Sequence, residues 1–180
     1  MQSLKNLPNI ITMVRLFLVP VIVATITGGR WTESFVAFVV AGISDALDGW
    51  LAKRFSLQTE LGAYLDPVAD KMLLVSIYIA LGIAGAVPPW LAILVVSRDI
   101  MIIGAILISW VLGKPVRVAP LFISKVNTTV QIACAAYVLA ERAFGWTPGM
   151  FYDVAVASVA ALTLASAAAY LGPWIKHMGR

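Results

Sequence analysis

The residues best suited to chemistry are four aspartates in the stretch SDALDGWLAKRFSLQTELGAYLDPVADK, Ser44 to Lys71. Asp45 and Asp48 stand three apart and Asp66 and Asp70 four apart. On helices each pair therefore projects from one face as a two-pronged oxygen site. Antiparallel packing of the two helices across KRFSLQTELGA is expected to bring all four carboxylates to one depth, with Asp48 about 7.5 Å from the helix end at Lys53. An aspartate at the centre of a bilayer costs about 2.5 to 3.5 kcal/mol, so four unpaired ones cost on the order of 10 kcal/mol. Lys53, Arg54 and Lys71 are too few to neutralise them and point partly to the interface. Clustered all-oxygen ligands favour the hard cations Mg²⁺ or Mn²⁺, and four carboxylates suit two ions sharing bridging ligands. Such a pair of cations suits a diphosphate substrate, whose oxygens it neutralises while stabilising the leaving group. Gly49 and Gly62 leave room for close approach of a phosphate or nucleotide, the alternatives being a helix-packing position for Gly49, which is the weaker reading there, and an ordinary loop glycine for Gly62, which reads equally well.

The elements that must position these residues are long and apolar. Of 180 residues, 61% are hydrophobic and 12% charged, with a mean hydropathy of +0.94. That composition predicts an all-α integral membrane protein. Six windows of spanning length lie near 10–28, 34–54, 64–86, 88–112, 122–143 and 151–172, so a six-transmembrane-helix bundle is expected over one domain, 1–180. Residues 1–9 are expected to form a short interfacial segment, with Pro8 opening the first helix. The first window is read as a span and not a signal peptide, since no small-residue cleavage site follows it. Basic residues stay on the cytoplasmic side. An N-in, C-in arrangement places Lys5, Lys53, Arg54, Lys114, Arg117, Lys176 and Arg180 inside and only Arg30 and Arg142 outside, which puts the aspartates just below the cytoplasmic interface. The sequence pI of about 9.4 then reports orientation and attraction to anionic headgroups, not nucleic-acid binding. Trp31, Trp50, Trp90, Trp146 and Trp174 fall near helix ends and are expected to anchor at the interfaces. Ala157, Ala161, Ala165 and Ala169 form a small-residue stripe that allows close helix approach, either within the bundle or across a dimer. The single histidine, His177, excludes a histidine-built metal site and a Ser-His triad, and the single cysteine, Cys134, excludes an intramolecular disulfide.

The spacing Asp45-x2-Asp48-Gly49-x2-Ala52-Lys53-x8-Gly62-x3-Asp66-x3-Asp70 resembles the signature of the CDP-alcohol phosphatidyltransferases. Pro8-Asn9-x2-Thr12-x2-Arg15 is also similar to that family's N-terminal pattern, so the resemblance runs over nearly the whole chain. It implies six transmembrane helices, a homodimer, a cavity open to the cytoplasm, and two divalent cations held by Asp45, Asp48, Asp66 and Asp70. It further implies that Asp70 takes the proton from the acceptor hydroxyl, which attacks the β-phosphate of CDP-diacylglycerol and releases CMP. Asn9, Thr12, Gly49, Ala52 and Gly62 would lie on the nucleotide side. The family's usual Arg after the Ala is Lys53 here, which keeps the charge but loses a bidentate fork. A bacterial inner membrane is the expected location.

Acceptor choice is expected to rest on other basic residues. Arg98 binds the acceptor or pairs with Asp99, Lys125 binds a phosphate or snorkels, and Arg117 contacts a headgroup. SRDIMIIG with FISKVNTTVQ resembles the CMP-forming cardiolipin synthases, which use phosphatidylglycerol. The phosphatidylglycerophosphate synthases, which use glycerol 3-phosphate, tend to show Gly-Lys-x-Lys-Thr where this chain has Ser124-Lys125-Val126-Asn127-Thr128. Asn127 in place of a second lysine favours the singly charged lipid acceptor. A divalent-cation carrier is the remaining alternative, but it would place charges near the midplane on broken helices in repeated halves, and neither feature is visible.

Overall fold

The computed structural model describes residues 7–54, 60–113 and 121–178, with the side chains of 7–10, 48–53, 60–68 and 177 outside that description. Six helices follow one another: α1 (Leu7–Thr27), α2 (Trp31–Arg54), α3 (Glu60–Ile83), α4 (Pro89–Val111), α5 (Phe122–Phe144) and α6 (Met150–Met178). Each expected window falls on one helix. The differences are at the two ends of the chain: α1 already begins at Leu7, so residues 7–9 belong to a helix and not to a separate interfacial piece, and α6 continues through Pro173.

Turn chemistry explains the helix boundaries. α5 stops at Gly145, whose φ of 68° is left-handed and open to glycine at little cost, and whose N–H caps the Glu141 carbonyl. α4 starts at Pro89, where the missing N–H has no intrahelical partner to lose.

Around the bundle the helices neighbour one another in the order α1, α2, α5, α6, α4, α3, and α3 also touches α5 across this ring. The core occupies one end. Ile22 and Ile26 of α1 meet Ile77 and Leu81 of α3, Leu91 of α4 and Leu139 of α5, all fully buried. The outside is apolar as well: Phe17, Ile93, Ile100, Trp110 and Val111 are all more than half exposed. The helices Pro89–Val111, Phe122–Phe144 and Met150–Lys176 are each long and apolar enough to cross a membrane. Long helices with apolar side chains turned outward are what an integral membrane protein presents to lipid.

Two expectations change here. The buried face of α6 is Val156, Val159, Thr163 and Ser166, while Ala157, Ala161 and Ala165 are exposed and Ala169 is half-buried, so most of the alanine stripe is turned away from this bundle. Trp174 does more than anchor at an interface, because its indole N–H donates to the Ala105 carbonyl at 3.1 Å and to Ser109 Oγ at 2.8 Å, tying α6 to α4.

Candidate active site

The centre of the site is an arginine in the apolar run ITMVRLFLVPVIV of α1. Arg15 is fully buried, and its Nη1 donates to Asp45 Oδ1 of α2 at 2.7 Å and to Asp70 Oδ1 of α3 at 2.5 Å. Among the described residues α2 and α3 do not pack on each other, contrary to the direct antiparallel contact expected from their sequence. α1 lies between them, and its guanidinium joins the two carboxylates. Asp45 and Asp70 lie at matching distances from the helix ends, as the sequence spacing leads one to expect. They are nine and ten residues inside the helix ends at Arg54 and Glu60, or about 14 Å along the axes. Both side chains remain about half exposed, at 48% and 51%, because they open onto a cleft of about 280 Å³. Its polar lining is Arg15, Asp45, Asp70, Lys71 and Thr128, over an apolar floor that includes Phe38 and Leu74. That volume suits a phosphorylated headgroup, with acyl chains left outside. A larger hollow between α3 and α4, about 440 Å³, is lined by Ile79, Ile83, Ala92 and Ile93 and carries no ionisable group.

A second charged cluster begins at the residue after Asp70. Lys71 Nζ donates to both oxygens of Asp99 at 2.7 Å, and Arg98 Nη1 donates to Asp99 Oδ1 at 2.6 Å. Arg98 Nη2 donates to Ser124 Oγ at 2.6 Å and to Ser166 Oγ, and the guanidinium lies 5.8 Å from the Tyr170 ring centroid. Arg98 and Asp99 are each 4% exposed, so the ion pair weighed for Arg98 is present and its donors are turned to neighbouring helices. Lys125 sits exposed on the first turn of α5, beside Ser124. Asn127 is fully buried, and its Oδ1 accepts from Thr163 of α6 at 3.1 Å. It is therefore part of the α5–α6 seam and not of the cleft wall, which removes its direct role in counting charge around an acceptor.

The structure brings together Asp45 and Asp70 and places Thr12, 2% exposed, one turn before Arg15. The side chains of Asn9, Asp48, Gly49, Ala52, Lys53, Gly62 and Asp66, and all of Arg117, lie outside the described residues. Among the described residues no three His, Cys, Asp or Glu side chains converge. Asp45 and Asp70 nevertheless fit a hard cation: both are oxygen donors opening onto the cleft, close enough to share one donor nitrogen. Arg15 and Lys71 are the residues that sequence reasoning undervalued. A lone arginine in an apolar helix is as costly as a lone aspartate and demands a carboxylate partner, and that signal was present in α1.

The description CDP-alcohol phosphatidyltransferase matches residues 5–170. The chain is 33% identical over 191 residues to a cardiolipin synthase (CMP-forming) of Rattus norvegicus, covering 97% of this chain and 62% of that protein. It is 35% identical over 179 residues to the CDP-diacylglycerol--glycerol-3-phosphate 3-phosphatidyltransferase of Escherichia coli K12, covering 92% of this chain and 93% of that protein. A 103-residue match at 38% identity joins it to a probable phosphatidylglycerophosphate synthase of Mycobacterium tuberculosis H37Rv, over 54% of this chain and 49% of that protein. The chain belongs to the CDP-alcohol phosphatidyltransferase family. It spans about three fifths of the length of the rat relative.

Proposed function

We propose that the protein transfers a phosphatidyl group from CDP-diacylglycerol to the hydroxyl of phosphatidylglycerol, giving cardiolipin and CMP. The observation that carries the reading is the convergence of Asp45 and Asp70, from two helices that among the described residues do not pack on each other, on a cleft of headgroup size. Two divalent cations, Mg²⁺ or Mn²⁺, are the group that Asp45, Asp48, Asp66 and Asp70 would hold, and when bound they would neutralise diphosphate oxygens and acidify an alcohol. Asp70 takes the acceptor proton as the hydroxyl attacks the β-phosphate and CMP leaves. Arg15 holds Asp45 and Asp70 at one place, so that the base and the metal-binding oxygens share a geometry. Asn9, Thr12, Gly49, Ala52, Lys53 and Gly62 form the nucleotide side. Lys125 and Arg117 meet the acceptor headgroup, and Arg98 acts from behind through Asp99.

The charge economy favours the lipid acceptor over glycerol 3-phosphate. The cleft's lysine is already shared with Asp99, which suits a singly charged phosphodiester better than a dianionic phosphomonoester. Relatives bearing both activities in their names keep glycerol 3-phosphate as the second reading. In this proposal all six helices cross the membrane with both termini inside, the site faces the cytoplasm of a bacterial inner membrane, and the outward alanine stripe of α6 meets a second copy.

The deciding experiment is mass spectrometry of the lipid formed by purified protein from CDP-diacylglycerol, Mg²⁺ or Mn²⁺, and both acceptors together. Cardiolipin is expected. Phosphatidylglycerophosphate would overturn the acceptor, and absence of metal-dependent CMP release would overturn the enzyme reading.

A further inference from the structure

Two charged clusters reach the cleft at successive residues of α3, Asp70 and Lys71. In the first, Arg15 is shared between Asp45 and Asp70. In the second, which reaches the cleft through Lys71 while Arg98 and Asp99 lie buried behind it, Asp99 is shared between Lys71 and Arg98, so among the described residues cations outnumber the carboxylate. Arg98 spends its remaining described contacts on neutral groups, the hydroxyls of Ser124 and Ser166 and the Tyr170 ring. The second cluster thus holds one positive charge beyond what Asp99 balances. A buried surplus charge is costly unless an opposite charge meets it. Within this cluster Lys71 is the residue that can deliver that meeting: its side chain is 40% exposed and lines the cleft, whereas Arg98 and Asp99 are closed off. An ammonium has three donors, and the two bonds to Asp99 leave the group able to offer one more.

We infer that Lys71 anchors a phosphate oxygen of the acceptor in this cleft, and that Asp99, clamped by Arg98, is the positioning residue that aims it. The inference rests on the proposed function and adds a residue to the acceptor side of that same site. Acceptor is preferred to donor because Lys71 adjoins the proposed base Asp70 and is tied to Asp99 of α4, a helix that carries none of the residues assigned to the nucleotide. The shared chemistry is a phosphate oxygen, supplied by either a phosphodiester lipid or a phosphomonoester.

The test is steady-state kinetics in mixed micelles with each acceptor, for wild type, Lys71→Met, Lys71→Arg and Asp99→Asn. Lys71→Met is expected to raise the KM for the acceptor about 10- to 100-fold, the value of one charged hydrogen bond, with the KM for CDP-diacylglycerol little changed. Lys71→Arg should recover most of the loss. Asp99→Asn should raise the acceptor KM less, and the double variant with Lys71→Met should be no worse than Lys71→Met alone, as for residues acting as one unit. A rise confined to the larger or the smaller acceptor tells which phosphate is held. An unchanged acceptor KM in Lys71→Met, or a rise in the donor KM instead, would overturn the inference. Thermal unfolding with added glycerol 3-phosphate or phosphatidylglycerol separates this from failure of the proposed function. Ligand stabilisation in wild type that is lost in Lys71→Met supports the anchor even without turnover, and equal stabilisation of both overturns it.

Discussion

The two ends of the bundle are built on different principles. At the end holding Ile22, Ile26, Ile77, Leu81, Leu91 and Leu139, apolar side chains close completely. Polar side chains there answer mainly to backbone: Arg142 donates to the Gly85 carbonyl, Tyr152 to the Ala86 carbonyl, and Arg142 lies 5.6 Å from the Trp31 ring centroid. At the other end polar side chains answer to each other across helices, as in Arg15 with Asp45 and Asp70, Lys71 with Asp99, and Arg98 with Ser124 and Ser166. Packing in lipid gains little from the hydrophobic effect, because acyl chains are as apolar as leucine, so the closed end is held by van der Waals fit and satisfied turns. The site end trades that fit for charges that must find partners, and it opens a cleft where they do so. One end keeps the helices in register, and the other uses that register.

Substitutions should separate the two ends. Asp70→Asn is expected to have the largest effect on turnover, a loss of about a thousandfold or more in kcat in a protein that still folds in detergent, since Asp45 continues to pair with Arg15. Retained CMP release would sink the base assignment. Arg15→Met should act on both folding and function. It leaves Asp45 and Asp70 repelling each other, so stability should fall by about 1 to 3 kcal/mol, a range kept low because both carboxylates are half exposed. Mn²⁺ binding followed by electron paramagnetic resonance should shift in the same variant, and unaltered binding with unaltered stability would remove Arg15 from the centre of the site. Leu139→Ala probes the closed end, where a cavity should cost about 2 kcal/mol or more in denaturant unfolding and leave both KM values alone. A changed KM there would mean that the ends are coupled more tightly than the contrast allows. The smallest effect is expected for Lys53→Arg, which restores the family's usual residue and should keep turnover within a few-fold in the CMP assay. An inactive variant would show a specific need for the lysine.

Much of this was legible in the chain. The helices could be placed because runs of apolar residues longer than a bilayer crossing have few alternatives, and the turn at Gly145 sits where such a run ends. Asp45 and Asp70 could be chosen because carboxylates in an apolar helix demand a reason. The pairing of Arg98 with Asp99 was one of two open readings, since a charged residue in an apolar span shows that it has a partner without showing which one.

What the sequence by itself determined is the helical, lipid-facing character of the chain, the family, and the residue types from which the site is made. These follow from local composition and spacing, which any single helix carries within it. Only the tertiary structure decided that α1 separates α2 from α3, that Arg15 joins Asp45 to Asp70, that Asn127 faces α6 instead of the cleft, and that Lys71 shares Asp99 with Arg98. Those are facts about which helices are neighbours. A helix's own residues report which face seeks cover, but the partner that supplies it is chosen by the packing of all six.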